Sequence, residues 1–175
     1  REKVQDARPG NIFDVDLTYM TSRGRWYMRS WKGLDQKSGG VATNIGVHFY
    51  DMLHFIFGPV LDNEVHYRDC YTCSGYLEFE RARVRWFLSI DSNYLPDSAI
   101  QGEKLTYRSI TIAGEELEFS GGFTDLHTRS YQRILAGNGY GVDENRTAIE
   151  TVEQIRVAPV IEKPETPHPL LAKVH

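Results

Sequence analysis

Along several stretches of the chain, hydrophobic and polar residues alternate one by one, the pattern of β-strands with one buried face. In the clearest stretch, 12–21, apolar side chains occupy every second position: Phe13, Val15, Leu17 and Tyr19. Similar patterns predict further strands at 60–71, 75–81, 82–94, 104–113 and 116–119. Because these strands follow one another closely, we expect them to form one broad, mostly antiparallel sheet.

Between the first two strands, the spacing of hydrophobic residues changes to that of a helix. We predict one helix over 38–58, with Ser38 as its N-cap and Gly58 before a proline as its stop. At about 100° per residue, Asn44, His48 and Asp51 form one polar stripe. The adjoining face is apolar: Ile45, Phe49, Met52, Leu53 and Ile56. A helix this apolar is largely buried, so its polar side chains need partners or a cavity.

Two later stretches are also predicted to be helical. These are 124–136, with Thr124 as N-cap and Gly137 as stop, and 144–157. Residues 22–33 are expected to be irregular, and the proline-containing segment from residue 163 to be extended or loose. The predicted fold class is therefore α+β, a large open sheet with helices on one face. We expect the other face to be apolar and covered by a second copy of the chain.

Composition limits the class of protein. The chain has 175 residues, enough for one domain with a full core. No apolar run approaches the roughly 18 residues of a membrane-spanning helix, and no secretory leader pattern opens the chain. Cys70 and Cys73 have no second cysteine pair with which to complete a zinc site, so we expect two reduced thiols and a cytoplasmic protein. Because the chain begins at Arg1, with no Met, we expect it to be part of a longer protein.

Charge is unevenly distributed. The formal net charge is −4, which argues against nucleic acid as a partner. Residues 22–37 nevertheless carry a cluster of basic side chains: Arg23, Arg25, Arg29, Lys32 and Lys37. Trp26, Tyr27 and Trp31 lie among them. This combination favours a pocket for an anionic ligand with rings, such as a sugar nucleotide. The alternative is an ordinary solvated loop whose aromatic residues attach it to the core.

The central segment resembles a known signature. Gly39-Gly40-Val-Ala-Thr-Asn44-Ile-Gly46-Val-His48-Phe-Tyr-Asp51 is similar to the G-G-x-x-x-D-x-G-x-H-x-x-D motif in the C-terminal domain of Gfo/Idh/MocA oxidoreductases. The segments Arg23-Gly-Arg-Trp-Tyr and Ser30-Trp-Lys-Gly33 resemble one branch, the UDP-N-acetylglucosaminuronate 3-dehydrogenases of surface-polysaccharide (lipopolysaccharide, O-antigen) biosynthesis. The chain departs from the broad motif at Asn44, where most members have Asp.

The resemblance implies a two-domain, NAD-dependent enzyme. Residues 1–175 would be its substrate-binding and oligomerisation domain, and the nucleotide-binding (Rossmann) domain that holds most of the NAD would be absent from this chain. His48 and Asn44 would be the catalytic residues, and the UDP-sugar would be held by a further set: Arg23, Tyr27, Lys32, Thr43 and His127. The resemblance implies no metal and no membrane partner, and a homodimer or homotetramer formed through the sheet.

Two other hypotheses compete with this one. The chain could be a non-catalytic domain that self-associates through its sheet, with His48 a hydrogen-bonded core residue and Asn44 its partner. A metal-dependent hydrolase using His48, Asp51 and His54 is the weakest, because His54 lies about 120° around the helix from His48.

Overall fold

The computed structural model describes residues 2–8, 10–121 and 125–174. The strands are β1 (Phe13–Thr21), β2 (Val60–Arg68), β3 (Thr72–Phe79), β4 (Ala82–Ser89), β5 (Thr106–Ile112) and β6 (Glu115–Glu118). The α-helices are α1 (Glu2–Gln5), α2 (Arg25–Arg29), α3 (Asp35–Ser38), α4 (Gly40–Asn44), α5 (Gly46–Phe57), α6 (Asp97–Gln101), α7 (Leu126–Leu135) and α8 (Val142–Val157). Short 3₁₀ helices occupy Trp31–Gly33, Ser92–Tyr94 and Pro169–Lys173. Within this part of the chain, no helix has both the length and the apolar composition needed to cross a membrane.

The six strands form one sheet in the order β2-β3-β4-β1-β5-β6. All neighbouring pairs are antiparallel except β1 and β4, which run parallel. The predicted α+β class, with a large open and mostly antiparallel sheet, is therefore confirmed. Its centre differs from a simple succession of hairpins, because β1 lies between β4 and β5.

Helices cover one face of this sheet. α5 packs against α8, and α4 contacts α8, β3 and β4. Alternate strand residues point toward these helices and are fully buried, among them Leu17, Val84 and Trp86. Burying each such aliphatic or aromatic side chain contributes about 1.5–3 kcal/mol. The helical layer and the sheet therefore share one hydrophobic core.

The predicted single helix over 38–58 is wrong in its first half. The segment contains the end of α3, then α4 and α5. Gly39 and Gly40 adopt φ of +72° and +73° and turn the chain between α3 and α4, and Ile45 separates α4 from α5. Ser38 ends α3, and its hydroxyl accepts a hydrogen bond from the Gly40 N–H at 3.1 Å. Gly58 ends α5 at φ +89°, as predicted.

Other boundaries also differ from the predictions. Residues 22–33 are not irregular, since they contain α2 and a 3₁₀ turn at Trp31–Gly33. α7 and α8 occupy the two predicted helical stretches. The predicted N-cap of the first, Thr124, lies outside the described residues.

The face of the sheet away from the helices is not the apolar surface that we expected. Asp16 and Arg85 form an ion pair there, with Nε 2.6 Å from Oδ1. The C-terminal segment covers part of this face, since Pro169–Lys173 is helical and His168 is only 3% exposed. The predicted loose tail is therefore wrong over these residues. His168 and Phe87 stack with their ring centroids 5.6 Å apart, which anchors the segment to β4.

Candidate functional site

A cavity of about 620 Å³ opens where α2, the α4–α5 junction, β1 and β5 meet. This volume lies in the range of small-molecule sites in proteins. Among the described residues, twelve line it: Tyr19, Arg23, Tyr27, Lys32, Asn44, Ile45, His48, Phe49, Asp51, Met52, Arg108 and Leu126. The predicted polar stripe of Asn44, His48 and Asp51 therefore faces one space, together with part of the basic loop.

Asn44 and His48 lie on either side of a helix junction. Asn44 is the last residue of α4, and His48 is in the first turn of α5. Ile45 separates the two helices with φ −110° and ψ −45°, close enough to helical geometry to keep both side chains on the cavity side. The His48 side chain is exposed and Asn44 is half-buried. The imidazole is thus accessible to a ligand.

Tyr27 forms the buried wall beside Asn44. Its side chain is 3% exposed, and its hydroxyl accepts a hydrogen bond from Asn44 Nδ2 at 3.3 Å. Burial raises the pKa of Tyr27 above its ordinary value, against the lowering effects of Arg23 and the Asn44 hydrogen bond. We predicted substrate contact for Tyr27. The structure places it both on the cavity wall and in contact with Asn44.

Three basic side chains reach the cavity: Arg23, Lys32 and Arg108. Lys32 Nζ lies 5.9 Å from the ring centroids of both Trp26 and Trp31. Cation–π attraction to two indoles fixes this ammonium group near the cavity. Asp51 is the only acidic residue among the described residues that line the cavity, so the site favours an anionic ligand.

Arg108 is the basic residue that the sequence analysis missed. It pairs with Tyr19 across β5 and β1, and its Cζ lies 5.5 Å from the Tyr19 ring centroid. Its Nη1 donates to the Ser120 carbonyl at 3.3 Å. Arg108 lies on the same face of β5 as the buried Ile110. A charged residue at such an inward-facing strand position is unusual, and this could have marked Arg108 as a site residue from the sequence.

Comparison with known proteins gives this geometry a context. Residues 1–163 match the family model of the Gfo/Idh/MocA proteins described as "Oxidoreductase family, C-terminal alpha/beta domain". The chain belongs to this family. This match confirms the family that the central motif indicated, and it extends over most of the chain.

Members of the Gfo/Idh/MocA family with crystal structures resemble the chain closely. One structure is of the WlbA (WbpB) dehydrogenase from Thermus thermophilus in complex with NAD and alpha-ketoglutarate. Its sequence is 50% identical to this chain, and the two structures superpose with a TM-score of 0.89. The match covers 97% of this chain and 54% of that one. Another structure of the T. thermophilus enzyme, with NAD and UDP-GlcNAcA, is 48% identical with a TM-score of 0.88. The chain thus spans about half the length of these relatives.

A more distant member shares the fold. The WlbA dehydrogenase from Bordetella pertussis, in complex with NADH and UDP-GlcNAcA, is 18% identical with a TM-score of 0.66, over 88% of this chain and 54% of that one. At this identity, the likeness concerns the sheet and helices of the Gfo/Idh/MocA domain and not the site.

Two predicted substrate-binding residues do not line the cavity of this Gfo/Idh/MocA domain. Thr43 is half-buried on α4, and among the described atoms its Oγ1 has no hydrogen-bond partner. His127 is exposed on α7, while its neighbour Leu126 lines the cavity. A role for either residue in substrate binding remains a prediction.

The structure also shows where the other titratable candidates lie. His54 faces α8, and its Nε2 donates to Thr151 Oγ1 at 2.8 Å, because that hydroxyl already donates to the Thr147 carbonyl. His48, Asp51 and His54 therefore do not converge, as predicted. In the part of the chain that the structure describes, no group of three His, Cys, Asp or Glu side chains could hold a metal ion. Cys70 and Cys73 are free thiols, and burial raises the pKa of Cys73 to about 12.

Proposed function

We propose that the chain is the substrate-binding half of an NAD-dependent dehydrogenase that oxidises the 3-hydroxyl of UDP-N-acetylglucosaminuronate in lipopolysaccharide biosynthesis. One observation carries the proposal: Asn44 and His48 face a single cavity that three cations also reach. The 48% identity to a dehydrogenase crystallised with NAD and UDP-GlcNAcA supports the choice of ligand.

His48 would accept the proton of the reacting hydroxyl. Oxidation of a secondary alcohol removes a proton from oxygen and a hydride from carbon, and a neutral imidazole can take the proton. Asn44, one turn earlier, would hold a sugar hydroxyl without adding charge. The exposure of His48 supports this role, since a base must reach the substrate.

NAD, where it is bound, supplies the hydride acceptor. The sequence has no strand followed by G-x-G-x-x-G, so we assign the cofactor phosphates to a nucleotide-binding domain outside this chain. Arg23, Lys32 and Arg108 would bind the diphosphate and the uronate carboxylate, which orients the sugar carbon toward the nicotinamide.

The remaining roles are part of the same proposal. Residues 1–175 would form the substrate-binding and oligomerisation domain, with a homodimer or homotetramer formed through the face of the sheet away from the helices. The side chains of Asp16 and Arg85 stay partly exposed on this face, which leaves room for such a contact beside the C-terminal segment. A UDP-sugar substrate and two free thiols support a cytoplasmic location.

The test is the turnover of a His48→Asn variant in a polypeptide that joins this chain to a nucleotide-binding domain. We expect kcat for UDP-N-acetylglucosaminuronate to fall by about 10²-fold or more, with an unchanged circular-dichroism spectrum. His54→Gln is the matched control, because it changes a histidine on the same helix that faces α8 and keeps an N–H donor for Thr151. Wild-type turnover by His48→Asn would overturn the assignment.

The competing hypothesis, a non-catalytic self-associating domain, predicted that His48 is a buried structural residue. Its exposure favours the catalytic role. If millimolar UDP-sugar fails to raise the melting temperature of the chain while light scattering shows a dimer, the non-catalytic function would gain support.

A further inference from the structure

α7 is an amphipathic helix whose apolar side is open to solvent. At about 100° per residue, Tyr131, Ile134 and Leu135 lie within one arc of about 100°. Arg129 and Arg133 lie on the opposite side of the helix. A surface helix usually buries such an apolar stripe against its own core. Among the described residues of this chain, every residue of α7 is exposed, and Leu135 is 87% exposed.

The contacts that end α7 are local and leave this side open. The Asn138 N–H donates to the Arg133 carbonyl at 2.9 Å, and the Arg133 guanidinium carbon lies 5.1 Å from the Tyr140 ring centroid. These contacts fix the turn that leads to α8. A helix of ten residues is only marginally stable in water without tertiary packing. We therefore expect a further packing partner on the apolar side of α7.

The apolar surface continues onto the start of α8. Tyr140, Val142 and Ile149 line one cleft, and all three are more than half exposed. Gly139 joins this cleft to α7, since a Cβ on Gly139 would lie 3.1 Å from Ile134 Cγ1. An exposed apolar surface of this kind is typical of an interaction site. We call its six large side chains the α7 patch: Tyr131, Ile134, Leu135, Tyr140, Val142 and Ile149.

The position of Leu126 indicates what covers the α7 patch. Leu126 is the first residue of α7, and it lines the same cavity as Asn44 and His48. In the proposed function, NAD must reach this cavity, and a nucleotide-binding domain carries it there. That domain would therefore lie beside the helix that begins at Leu126. The two T. thermophilus structures leave room for such a domain, because this chain matches only 54% of their length.

A second copy of the chain is a less suitable occupant. The cavity lies on the helix side of the sheet, because Tyr19 on its wall packs against Phe49 of α5 with ring centroids 5.1 Å apart. The proposed contact between copies uses the other face, around Asp16 and Arg85. α7 thus begins on the side that the cofactor must approach, and not on the side assigned to a second copy.

We propose that the α7 patch is the docking surface for the nucleotide-binding domain of the same polypeptide. This inference rests on the proposed function. Apolar side chains of that domain pack against Tyr131 and Leu135, while Leu126 stays at the cavity beside the cofactor. Burial of the patch gives the ten-residue helix the tertiary packing that stabilises it.

Hydrogen exchange followed by mass spectrometry tests this docking. The comparison is between this chain and the polypeptide that includes a nucleotide-binding domain, each over a range of concentrations. The amides of Leu126–Leu135 should exchange about tenfold more slowly in the longer polypeptide, because docking suppresses the opening of α7. Equal exchange in the two proteins would overturn the proposal. Protection of α7 that rises with concentration in either protein would also overturn it, since a second copy would then cover the patch.

Leu135→Glu and Gln132→Glu form a matched pair of variants. Both introduce one carboxylate into the second half of α7, but Gln132 shares a surface with Arg129 and Arg133. Leu135→Glu should remove the protection of α7 in the longer polypeptide, whereas Gln132→Glu should keep it. In this chain alone, both variants should leave the melting temperature unchanged, because both side chains are exposed. Protection that survives Leu135→Glu would overturn the proposal.

The outcome of this experiment is separate from that of the proposed function, because hydrogen exchange needs no turnover. If the longer wild-type polypeptide does not oxidise the UDP-sugar while α7 is protected, the proposed function fails and the docking surface stands. If it oxidises the UDP-sugar while α7 exchanges as fast as in this chain alone, the docking surface fails and the function stands.

Discussion

His168, in the C-terminal segment, hydrogen-bonds to Thr18 on the central strand of the sheet, with Nε2 3.2 Å from the hydroxyl oxygen. The Leu170 N–H donates to the other ring nitrogen, Nδ1, at 3.2 Å, so Nε2 carries the proton and donates to Thr18. Both ring nitrogens are thus satisfied by a neutral imidazole. The contact fastens the end of the chain to the middle of the sheet.

The stability of the fold should depend on pH through His168. Burial, and secondarily the positive charge of Arg85, lower the pKa of His168 to about 3, against about 6.5 in an unfolded chain. Between these values the unfolded state binds more protons, so stability is fully present above pH 6.5 and is lost as the pH falls. We expect the free energy of unfolding, measured by urea denaturation, to decrease by up to about 1.4 kcal/mol per pH unit from this group.

The test compares how steeply the free energy of unfolding changes with pH in the wild type and in a variant, and not its absolute value. His168→Leu removes the titrating group, so its stability should fall less steeply between pH 6 and 4 than that of the wild type. If the two proteins show parallel pH profiles, His168 does not titrate in the way that its burial requires.

Removing Arg68 should destabilise the C-terminal end of α8. Its guanidinium donates to the Ile155 carbonyl at 2.5 Å, the Arg156 carbonyl at 3.2 Å and the Ala158 carbonyl at 3.3 Å. These carbonyls lie at the helix end, where part of the backbone has no intrahelical partner. We expect Arg68→Ala to lower the free energy of unfolding by about 1–2 kcal/mol.

Arg68→Lys keeps the charge but loses the planar fork, so it should restore only part of this stability. Arg146→Ala serves as the matched control. It removes an exposed arginine ion-paired with Asp143 in the same helix, and should change stability by less than about 0.5 kcal/mol. A larger effect at Arg146 than at Arg68 would contradict the capping role.

Gly33→Ala should disturb the wall of the cavity. A Cβ at Gly33 would lie 2.6 Å from the Met28 Cα and 2.8 Å from its carbonyl oxygen, both of them backbone atoms of α2. The clash would displace the turn that carries Tyr27 and Lys32. We expect a loss of about 1–3 kcal/mol in stability and weaker binding of UDP-sugar by calorimetry.

Gly121→Ala is the comparison for Gly33→Ala. No described heavy atom lies within 4 Å of a Cβ at that position. The free energy of unfolding of Gly121→Ala should stay within about 0.5 kcal/mol of that of the wild type. Should Gly33→Ala behave in the same way, the close packing of this turn against α2 would not be required.

Lys32→Met should weaken the binding of anionic ligands. The ammonium reaches the cavity between two indole rings, and its loss removes one of three cations. We expect the Kd for UDP to rise about tenfold at low salt, and by less at high salt, where charges are screened. Lys37→Met removes an exposed lysine from the same basic cluster but away from the cavity, and should leave the Kd unchanged. Equal effects of the two variants would mean that only overall charge matters.

The strands were predictable because the alternation of buried and exposed side chains along a strand is visible in consecutive residues of the sequence. Alternation located β1 and β4, whereas nothing local shows that these two strands lie side by side and run parallel. The single long helix was wrongly predicted because the hydrophobic stripe continues across the break at Ile45, between α4 and α5. At the start of the predicted helix, Gly39 and Gly40 adopt positive φ, and a glycine pair in a sequence allows this conformation without requiring it.

The candidate site was partly predictable for a similar reason. Asn44, His48 and Asp51 are close in sequence, so helical spacing alone places them together. Arg108 reaches the same cavity from β5, and its approach depends on the pairing of Tyr19 with Arg108 across two strands distant in sequence. The Tyr27–Asn44 hydrogen bond likewise depends on how α2 folds back onto α4.

The position of β1 between β4 and β5 also limits when its strand pairs can form during synthesis. Phe13–Thr21 leaves the ribosome before the other strands of this sheet, yet its parallel neighbour begins at Ala82 and its antiparallel neighbour at Thr106. Until those residues have been translated, this hydrophobic strand has no partner strand to pair with. A nascent chain with such an exposed strand is prone to aggregation or to binding by a chaperone. The middle of the sheet therefore cannot close until most of the domain has been synthesised.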